Sequence, residues 1–471
     1  MSRRRCLLVC GTVALVAAAL PDTALAHGFT GRQDLPIPKW LFGWGATVVL
    51  VASFVALAAL WPQPRLEQPA ERRLAAVPRI LDPIAGAVGV ALFAVGIFAG
   101  FAGSQTVTDN LLPTLLFVQF WVGLVPVSVL FGDVFMALNP WRAIARTAAW
   151  IGGKVSRDGL PAPLPYPERL GRWPAALGIL IFAWIELAYT NRDDPSTLAV
   201  LGLAYAAVQL VGMSLYGVEP WTRRGDAFGV YFGLFARLAP LRWERGALYA
   251  RRPLSGVTTL TVVPGTVALL CAMIGSTSFD GFSQGPAWSS LAPDVTRLFR
   301  DLGLPPATAL ETANTVGLVA LVLVVAGLYG LGVSGMRWAG EKRDVTEVAQ
   351  AFVHSLVPIA LAYVIAHYFS FLAFNGQAAI YLASDPLGDG SNLLGTAGAT
   401  IDYTWVGATG IWYVQVGALV LGHVAGLMLA HDRALVLFRS AGAATRSQYW
   451  MLAVMIAFTS LGLWLLSSIN S

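Results

Sequence analysis

The chain has 471 residues, of which 56% are hydrophobic and only 12% are charged, and its mean hydropathy is +0.65. A soluble globular domain carries about 25% charged residues. This composition excludes a cytosolic enzyme, a disordered chain and a disulfide-rich secreted scaffold, and it predicts a membrane protein that crosses the bilayer many times. The net charge of +5 does not by itself indicate nucleic-acid binding, because that reading requires the basic residues to form one patch.

The first 26 residues have the layout of a secretory signal peptide. Arg3 to Arg5 form a basic start, an apolar run extends from Cys6 to Leu20, and Ala24-Leu-Ala26 is a typical cleavage site. The apolar run of about 15 residues is short for a membrane span. The sequence therefore predicts cleavage after Ala26, which leaves residues 27–471 as a single multi-span membrane domain.

Apolar runs of about 20 residues, the length that crosses a bilayer, occur ten times after the signal peptide. Such long, continuously apolar runs predict helices, because the strands of a membrane barrel alternate in polarity. The predicted fold is an all-α, polytopic transmembrane helical bundle. The ten predicted spans lie near 39–61, 82–103, 113–137, 174–190, 197–216, 257–276, 313–335, 350–373, 409–430 and 448–468.

The distribution of basic residues predicts how these spans are oriented. If the mature N-terminus is outside, the five loops on the cytoplasmic side carry 23 Lys and Arg, and the external segments carry five. This bias follows the positive-inside rule and predicts an inner (cytoplasmic) membrane protein with both mature ends outside. The basic residues thus face lipid headgroups on the cytoplasmic side, and no nucleic-acid partner is predicted.

Three acidic residues are candidate catalytic groups, because an ionisable side chain at membrane depth is costly and is a functional hypothesis by default. Asp133 is at the inner end of the third span, Glu186 is toward the outer end of the fourth, and Asp280 is in the external segment after the sixth. The alternative is structural pairing, of Asp133 with Arg142 and of Glu186 with Arg192.

Histidines in the eighth and ninth spans are candidate metal ligands. His354 and His367 are about 20 Å apart along one helix, so they cannot bind the same ion. Depth in the membrane instead groups the polar residues in two sets. The inner set is His354, His423, Asp133 and Asp226, and the outer set is His367, Glu186 and Asp280.

Mixed histidine and carboxylate ligands predict a divalent metal ion, and they suit zinc, iron or manganese. His27 would become the mature N-terminal residue, and its amine and imidazole together would bind a metal such as copper. Two other readings stay open for the intramembrane histidines. They would handle protons, or they would be hydrogen-bonded packing residues.

Several motifs along the mature chain together resemble a bacterial membrane-protein family known as fenitrothion hydrolase. None of them is a general catalytic signature, and the resemblance assigns no catalytic residue. The motifs are Ala26-His-Gly, Asp34-Leu-Pro-Ile-Pro-Lys-Trp40, Asn139-Pro-Trp-Arg142, Ser278-Phe-Asp-Gly281, His354 to His367 with Tyr368-Phe-Ser370, Gly422-His-Val, and Ala430-His-Asp-Arg433.

The resemblance implies an enzyme of the bacterial inner membrane that hydrolyses organophosphorus triesters and acts with a second membrane subunit. The substrate would be an apolar small molecule that partitions into the lipid bilayer. Two alternatives remain from the residues themselves. One is a secondary transporter or channel for a small solute or metal ion, because prolines interrupt several spans and buried charges are few. The other is a non-catalytic metal-handling or assembly subunit with His27 at its external tip.

Overall fold

A computed structural model of the chain describes residues 39–67, 70–156, 161–244, 246–339 and 343–469. The predicted signal peptide at 1–26 and the candidate ligand His27 lie outside the described residues. Within the described ranges most residues are helical, so the prediction of an all-α helical bundle is confirmed.

The helices of the first half are α1 (Lys39–Leu60), α2 (Leu81–Ala102), α3 (Leu111–Phe131), α4 (Val134–Leu138), α5 (Pro140–Val155), α6 (Trp173–Leu187), α7 (Pro195–Tyr216), α8 (Val218–Arg224) and α9 (Ala227–Ala236). Those of the second half are α10 (Ser255–Thr258), α11 (Thr266–Ser283), α12 (Pro286–Asp301), α13 (Pro306–Ala339), α14 (Val345–Phe352), α15 (Leu356–Asn375), α16 (Ala378–Leu382), α17 (Ala408–Leu437) and α18 (Ala441–Ile469). A 3₁₀ turn over Val353–Ser355 joins α14 to α15, and a second 3₁₀ turn, Val107–Asp109, precedes α3.

Seven described helices are long and apolar enough to cross a membrane, and each overlaps a predicted span. They are Leu81–Ala102, Leu111–Phe131, Pro195–Tyr216, Thr266–Ser283, Pro306–Met336, Val345–Asn375 and Ala408–Leu437. Together with the composition they indicate a membrane protein. The other three predicted spans fall on α1, on α6 and on α18, and the count of ten stays a prediction.

The start of α11 differs from the predicted span, which begins at 257. The apolar run there includes Pro264 and Gly265, and the helix begins only after them, at Thr266. Gly265 has a φ of +83°, and a side chain on it would lie 2.6 Å from the backbone nitrogen of Trp173. The chain therefore turns sharply before the helix begins. At its other end the helix continues to Ser283, further than predicted.

The short helix α9 lies in a predicted cytoplasmic loop but is buried inside the bundle. It packs against α6 and against the last part of α3. Its aromatic side chains form one cluster with those of α3 and α6, for example Trp121 stacked on Tyr231 with ring centroids 4.5 Å apart. This short buried helix contributes its aromatic side chains to the apolar core.

A small antiparallel sheet, which the sequence analysis did not predict, joins two of the predicted cytoplasmic loops. Its strands are β1 (Arg72–Ala76), β2 (Leu241–Glu244) and β3 (Ala247–Ala250), in the order β1-β3-β2. The strands are too short and too polar to show an alternating apolar pattern. Their pairing places the two loops on the same side of the bundle, as the predicted topology requires.

The segment after α1 is held by three consecutive residues of α17, His431-Asp432-Arg433. Asp432 is fully buried and accepts hydrogen bonds from the Trp61 indole nitrogen at 2.9 Å and the backbone nitrogens of Arg65 and Leu66 at 2.6 and 2.9 Å. His431 Nε2 contacts the Trp61 carbonyl at 3.0 Å, and Arg433 pairs with Glu67. This set fixes the first helix to the ninth predicted span.

Replacing Asp432 by asparagine should destabilise the protein by about 1–3 kcal/mol, because the new amide would turn an N–H donor toward the backbone donors that the carboxylate now satisfies. The measurement is thermal unfolding in detergent, followed by tryptophan fluorescence. Asp301→Asn, an exposed carboxylate at the end of α12, is the matched control. Equal melting temperatures for Asp432→Asn and the control would contradict this role.

Candidate functional site

Two residues of the predicted outer set meet directly where α11 packs against α15. The Asp280 carboxylate oxygen Oδ2 lies 2.8 Å from His367 Nε2. The Tyr368 hydroxyl donates to the same Oδ2 at 2.7 Å, and the Gln284 side-chain amide donates to Oδ1 at 3.0 Å. We call Glu186, Asp280, Gln284, His367 and Tyr368 the polar cluster.

Glu186, the third residue of the predicted outer set, belongs to the same cluster. Its carboxylate interacts electrostatically with the hydroxyls of Tyr231 and Tyr368. The Tyr368 hydroxyl therefore contacts one carboxylate, that of Asp280, and is within electrostatic reach of a second, that of Glu186. The predicted partner Arg192 donates to the backbone carbonyl of Glu186 at 3.3 Å, so this contact with Arg192 is made by the main chain.

The local sequence explains how two helices deliver these groups. Asp280 and Gln284 are four residues apart, so they lie on the same side of α11 and its end. Asp280 was predicted in an external segment, but α11 continues to Ser283 and holds it in its last turns. On α15 the adjacent His367 and Tyr368 both reach Asp280.

The cluster is closed off from solvent. Asp280 is 1% exposed, Glu186 4% and His367 7%. In such a low-dielectric setting a charge-assisted hydrogen bond is stronger than in water. The 2.8 Å contact between His367 and Asp280 therefore lies in a buried setting in which polar groups interact strongly.

Gly281 lies against the second ring nitrogen of His367. A Cβ atom placed on Gly281 would be 3.5 Å from His367 Nδ1, which is an ordinary contact distance. Gly281 is therefore on the Nδ1 side of the imidazole, while Asp280 from the same helix lies beside Nε2.

A π-helical segment borders the cluster. Thr114–Gly123 within α3 is wound as a π-helix, and it contains Trp121, whose indole lies near the Tyr368 hydroxyl. Such segments are rare and are frequent at functional sites. Trp121 also stacks on Tyr231, so the π-segment brings the aromatic core to the edge of the polar cluster.

The predicted inner set does not form one site. Asp133 caps α4, where its Oδ1 accepts from the backbone nitrogen of Met136 at 3.2 Å. Its predicted partner Arg142 instead pairs with Asp82 at 3.1 Å and with Glu219 at 3.2 Å. Asp133 therefore has a local structural contact that needs no ligand.

Asp226 is buried and holds three other elements. Its Oδ2 accepts from Asn139 at 2.7 Å and from the Trp141 indole at 2.9 Å, and its Oδ1 accepts from the Tyr205 hydroxyl at 2.7 Å. These donors belong to the segment before α5, to α5 itself and to α7. The Asn-Pro-Trp motif at 139–141 thus serves to bind this carboxylate.

His354 and His423 lie at different levels of the contact between α15 and α17. His423 Nδ1 contacts the Leu419 carbonyl at 2.7 Å, and its ring is 6.3 Å from that of Tyr363. His354 lies near the backbone of Leu429, about 9 Å further along α17. In both rings Nε2 is buried with no hydrogen-bond partner among the described residues.

No group of three or more His, Cys, Asp or Glu side chains in the described ranges is arranged to hold a metal ion. In the polar cluster, His367 Nε2 lies beside an Asp280 oxygen that also accepts from Tyr368, so both atoms are engaged with protein groups. The residues present do not form a ready ligand set for the predicted divalent ion. That ion, and the role of His27, stay predictions.

Sequence reasoning missed Tyr368, Gln284, Trp121 and Tyr231. Two of them carried a usable signal, because Tyr368 adjoins His367 and Gln284 follows Asp280 by one helical turn. Trp121 and Tyr231 had none, since Tyr231 is in a predicted cytoplasmic loop and the contact between the two rings depends on how the helices pack.

Comparisons of the chain with protein-family models, with curated proteins and with solved structures find no match. The relation to the fenitrothion hydrolase family therefore rests on the sequence motifs, and it enters below as part of a proposal.

The structural role of Asp133 has a direct test. Asp133→Ala should destabilise the protein by about 1 kcal/mol, because the cap of α4 is lost, whereas Asp133→Ser should keep most of the stability, since serine also caps helices. Thermal unfolding in detergent measures both. An equal loss in the alanine and serine variants would show that Asp133 acts through its charge and not as a cap.

Proposed function

We propose that the chain is an integral-membrane hydrolase of organophosphorus triesters in which His367 is the general base and Asp280 positions it. The observation that carries the proposal is the 2.8 Å contact between His367 Nε2 and Asp280 Oδ2, with Tyr368 and Gln284 donating to the same carboxylate. The resemblance to fenitrothion hydrolases supplies the substrate class.

The proposed step uses only water, the triester substrate and side chains of this protein. His367 takes a proton from water, and the resulting hydroxide oxygen forms a bond to phosphorus. The bond between phosphorus and the aryl oxygen breaks, and its electron pair leaves on the oxygen as a nitrophenolate. The products are a dialkyl (thio)phosphate and the phenolate, and the proton on His367 then passes to solvent.

Asp280 contributes by stabilising the imidazolium that forms. The two donors on its carboxylate keep it in place, so little reorganisation is needed when the charge appears. Glu186 is a second carboxylate within electrostatic reach of Tyr368. General base catalysis of this kind contributes typically about 10²–10⁴ in rate.

The finer topology belongs to the same proposal. With a cleaved signal peptide, ten spans and both ends outside, the polar cluster would lie in the outer half of the inner membrane. A lipid-soluble triester would reach it from the bilayer, and a second membrane subunit would complete the enzyme. The long apolar helices support a lipid environment, and the resemblance supports the subunit.

A second candidate function is proton-coupled transport of a small solute. It is favoured by the burial of Asp280, Glu186 and His367, because a carboxylate and histidine enclosed among helices are typical of proton relays in transporters. In that case substrate would cross the membrane unchanged.

His367→Gln should lower nitrophenol release from fenitrothion at least 100-fold, because glutamine keeps an N–H donor toward Asp280 but cannot take a proton. Asp280→Asn should lower it as well. The assay uses membranes that contain the full chain, with insertion confirmed, and measures the nitrophenolate by absorbance. A chelator should leave the rate unchanged, since the proposed step uses protein groups alone.

His423→Asn is the matched control, because asparagine retains the donor to the Leu419 carbonyl and His423 is outside the cluster. It should keep the rate of the unmodified chain. Full activity in inserted His367→Gln would contradict the proposal. Uptake of unchanged solute by proteoliposomes, without nitrophenol release by the unmodified chain, would support transport instead.

A further inference from the structure

The helix α12 connects two long apolar helices, α11 and α13, and is strongly two-sided. Exposed leucines at 291, 298 and 302 follow one another at intervals of seven and four residues, so they form one row. On an adjacent face Trp288 is buried against Phe279 of α11, with ring centroids 5.3 Å apart. Trp288 therefore fixes one face of α12 to the bundle, and the leucine row on the adjacent face is exposed.

A helix with an apolar row on one side and charged residues on the other lies in the interface between lipid and water. Of the charged residues of α12, Arg297 and Arg300 are on the side away from the leucine row, and Asp294 and Asp301 flank it. Because α12 follows the end of one membrane-length helix and precedes the start of the next, it is placed at the level of the lipid headgroups.

A groove of about 470 Å³ lies between α12 and the first turns of α13. Its lining combines cationic and hydroxyl groups with apolar walls, and we call it the α12–α13 groove. It is lined by Ser289, Pro293, Thr296, Arg297, Arg300 and Leu310.

The groove has an excess of positive charge. Arg297 pairs with Asp294 at 3.0 Å, whereas no carboxylate among the described residues forms an ion pair with Arg300. The Thr296 hydroxyl is buried there and has no hydrogen-bond partner in the described part of the chain. An unpaired guanidinium and an unused hydroxyl donor in one groove are complementary to a phosphate group.

The two groove arginines are predicted on the outer side of the membrane, where basic residues are few. The predicted topology leaves only five Lys and Arg outside, and two of them, Arg297 and Arg300, line this groove. Basic residues on the outer side are disfavoured by the positive-inside rule, so two in one groove indicate a specific use.

We propose that the α12–α13 groove binds the headgroup phosphate of an anionic phospholipid, with Arg300 supplying the charge and Thr296 a hydrogen bond. The lipid's apolar part would lie along the apolar wall of the groove at Leu310. This site is independent of the proposed hydrolase reaction, because no residue of the polar cluster lines the groove.

The test uses the purified full chain in a neutral detergent, titrated with dioctanoyl phosphatidylglycerol, dioctanoyl phosphatidylcholine or inorganic phosphate. Phosphatidylglycerol should raise the melting temperature at lower concentration than phosphatidylcholine, and inorganic phosphate should have little effect. Arg300→Ala should raise the phosphatidylglycerol concentration for half the effect about fivefold. Thr296→Val, which keeps the side-chain shape, should raise it in the same direction.

Arg169→Ala, an exposed arginine in a predicted cytoplasmic loop, is the matched control and should respond like the unmodified chain. The proposal is overturned if Arg300→Ala responds like that control, or if phosphatidylcholine is as effective as phosphatidylglycerol. A full effect of inorganic phosphate alone would also overturn it, because the groove would then be a site for free phosphate.

Discussion

The contact between Asp280 and His367 is the interaction on which the candidate site depends. The hydrocarbon of a bilayer offers no hydrogen-bond partners, so a buried carboxylate among apolar helices must be paired within the protein. Asp280 is paired with a histidine and a tyrosine of α15 and with Gln284 at the end of its own helix. The pairing joins α11 to α15, and it places the His367 imidazole beside a carboxylate.

Three buried carboxylates of the described residues, those of Asp226, Asp280 and Asp432, differ in their hydrogen-bond donors. Asp226 and Asp432 accept from groups that cannot give up a charge at ordinary pH, namely indole, amide, hydroxyl and backbone donors. Such carboxylates hold elements together. Asp280 differs because one of its partners is the imidazole of His367, a side chain that can both accept and donate a proton. We therefore assign a structural role to Asp226 and Asp432, and the proposed function uses the pair of Asp280 and His367.

The sequence was sufficient for the helices and for part of the site. Long apolar runs predict membrane-length helices because the bilayer fixes their length, and membrane depth alone correctly brought His367 to Asp280. Membrane depth did not predict the inner set. Asp133 caps α4 instead, and His354 and His423 lie at different levels along α17. Tyr368 and Gln284 were not predicted as site residues, because the rotation of a helix about its axis is set by packing. The late start of α11 required knowing that Gly265 turns against Trp173.

The most direct test of the account is ¹⁵N NMR of imidazole-labelled protein in membranes, with the His367 signals assigned by their loss in His367→Gln. Only five histidines are present, so the spectrum is simple. The account predicts that Asp280→Asn shifts the Nε2 resonance of His367 and leaves His423 unchanged, because the carboxylate contacts His367 Nε2 whereas His423 contacts the Leu419 carbonyl. A His367 spectrum that is the same with and without the Asp280 carboxylate would contradict it.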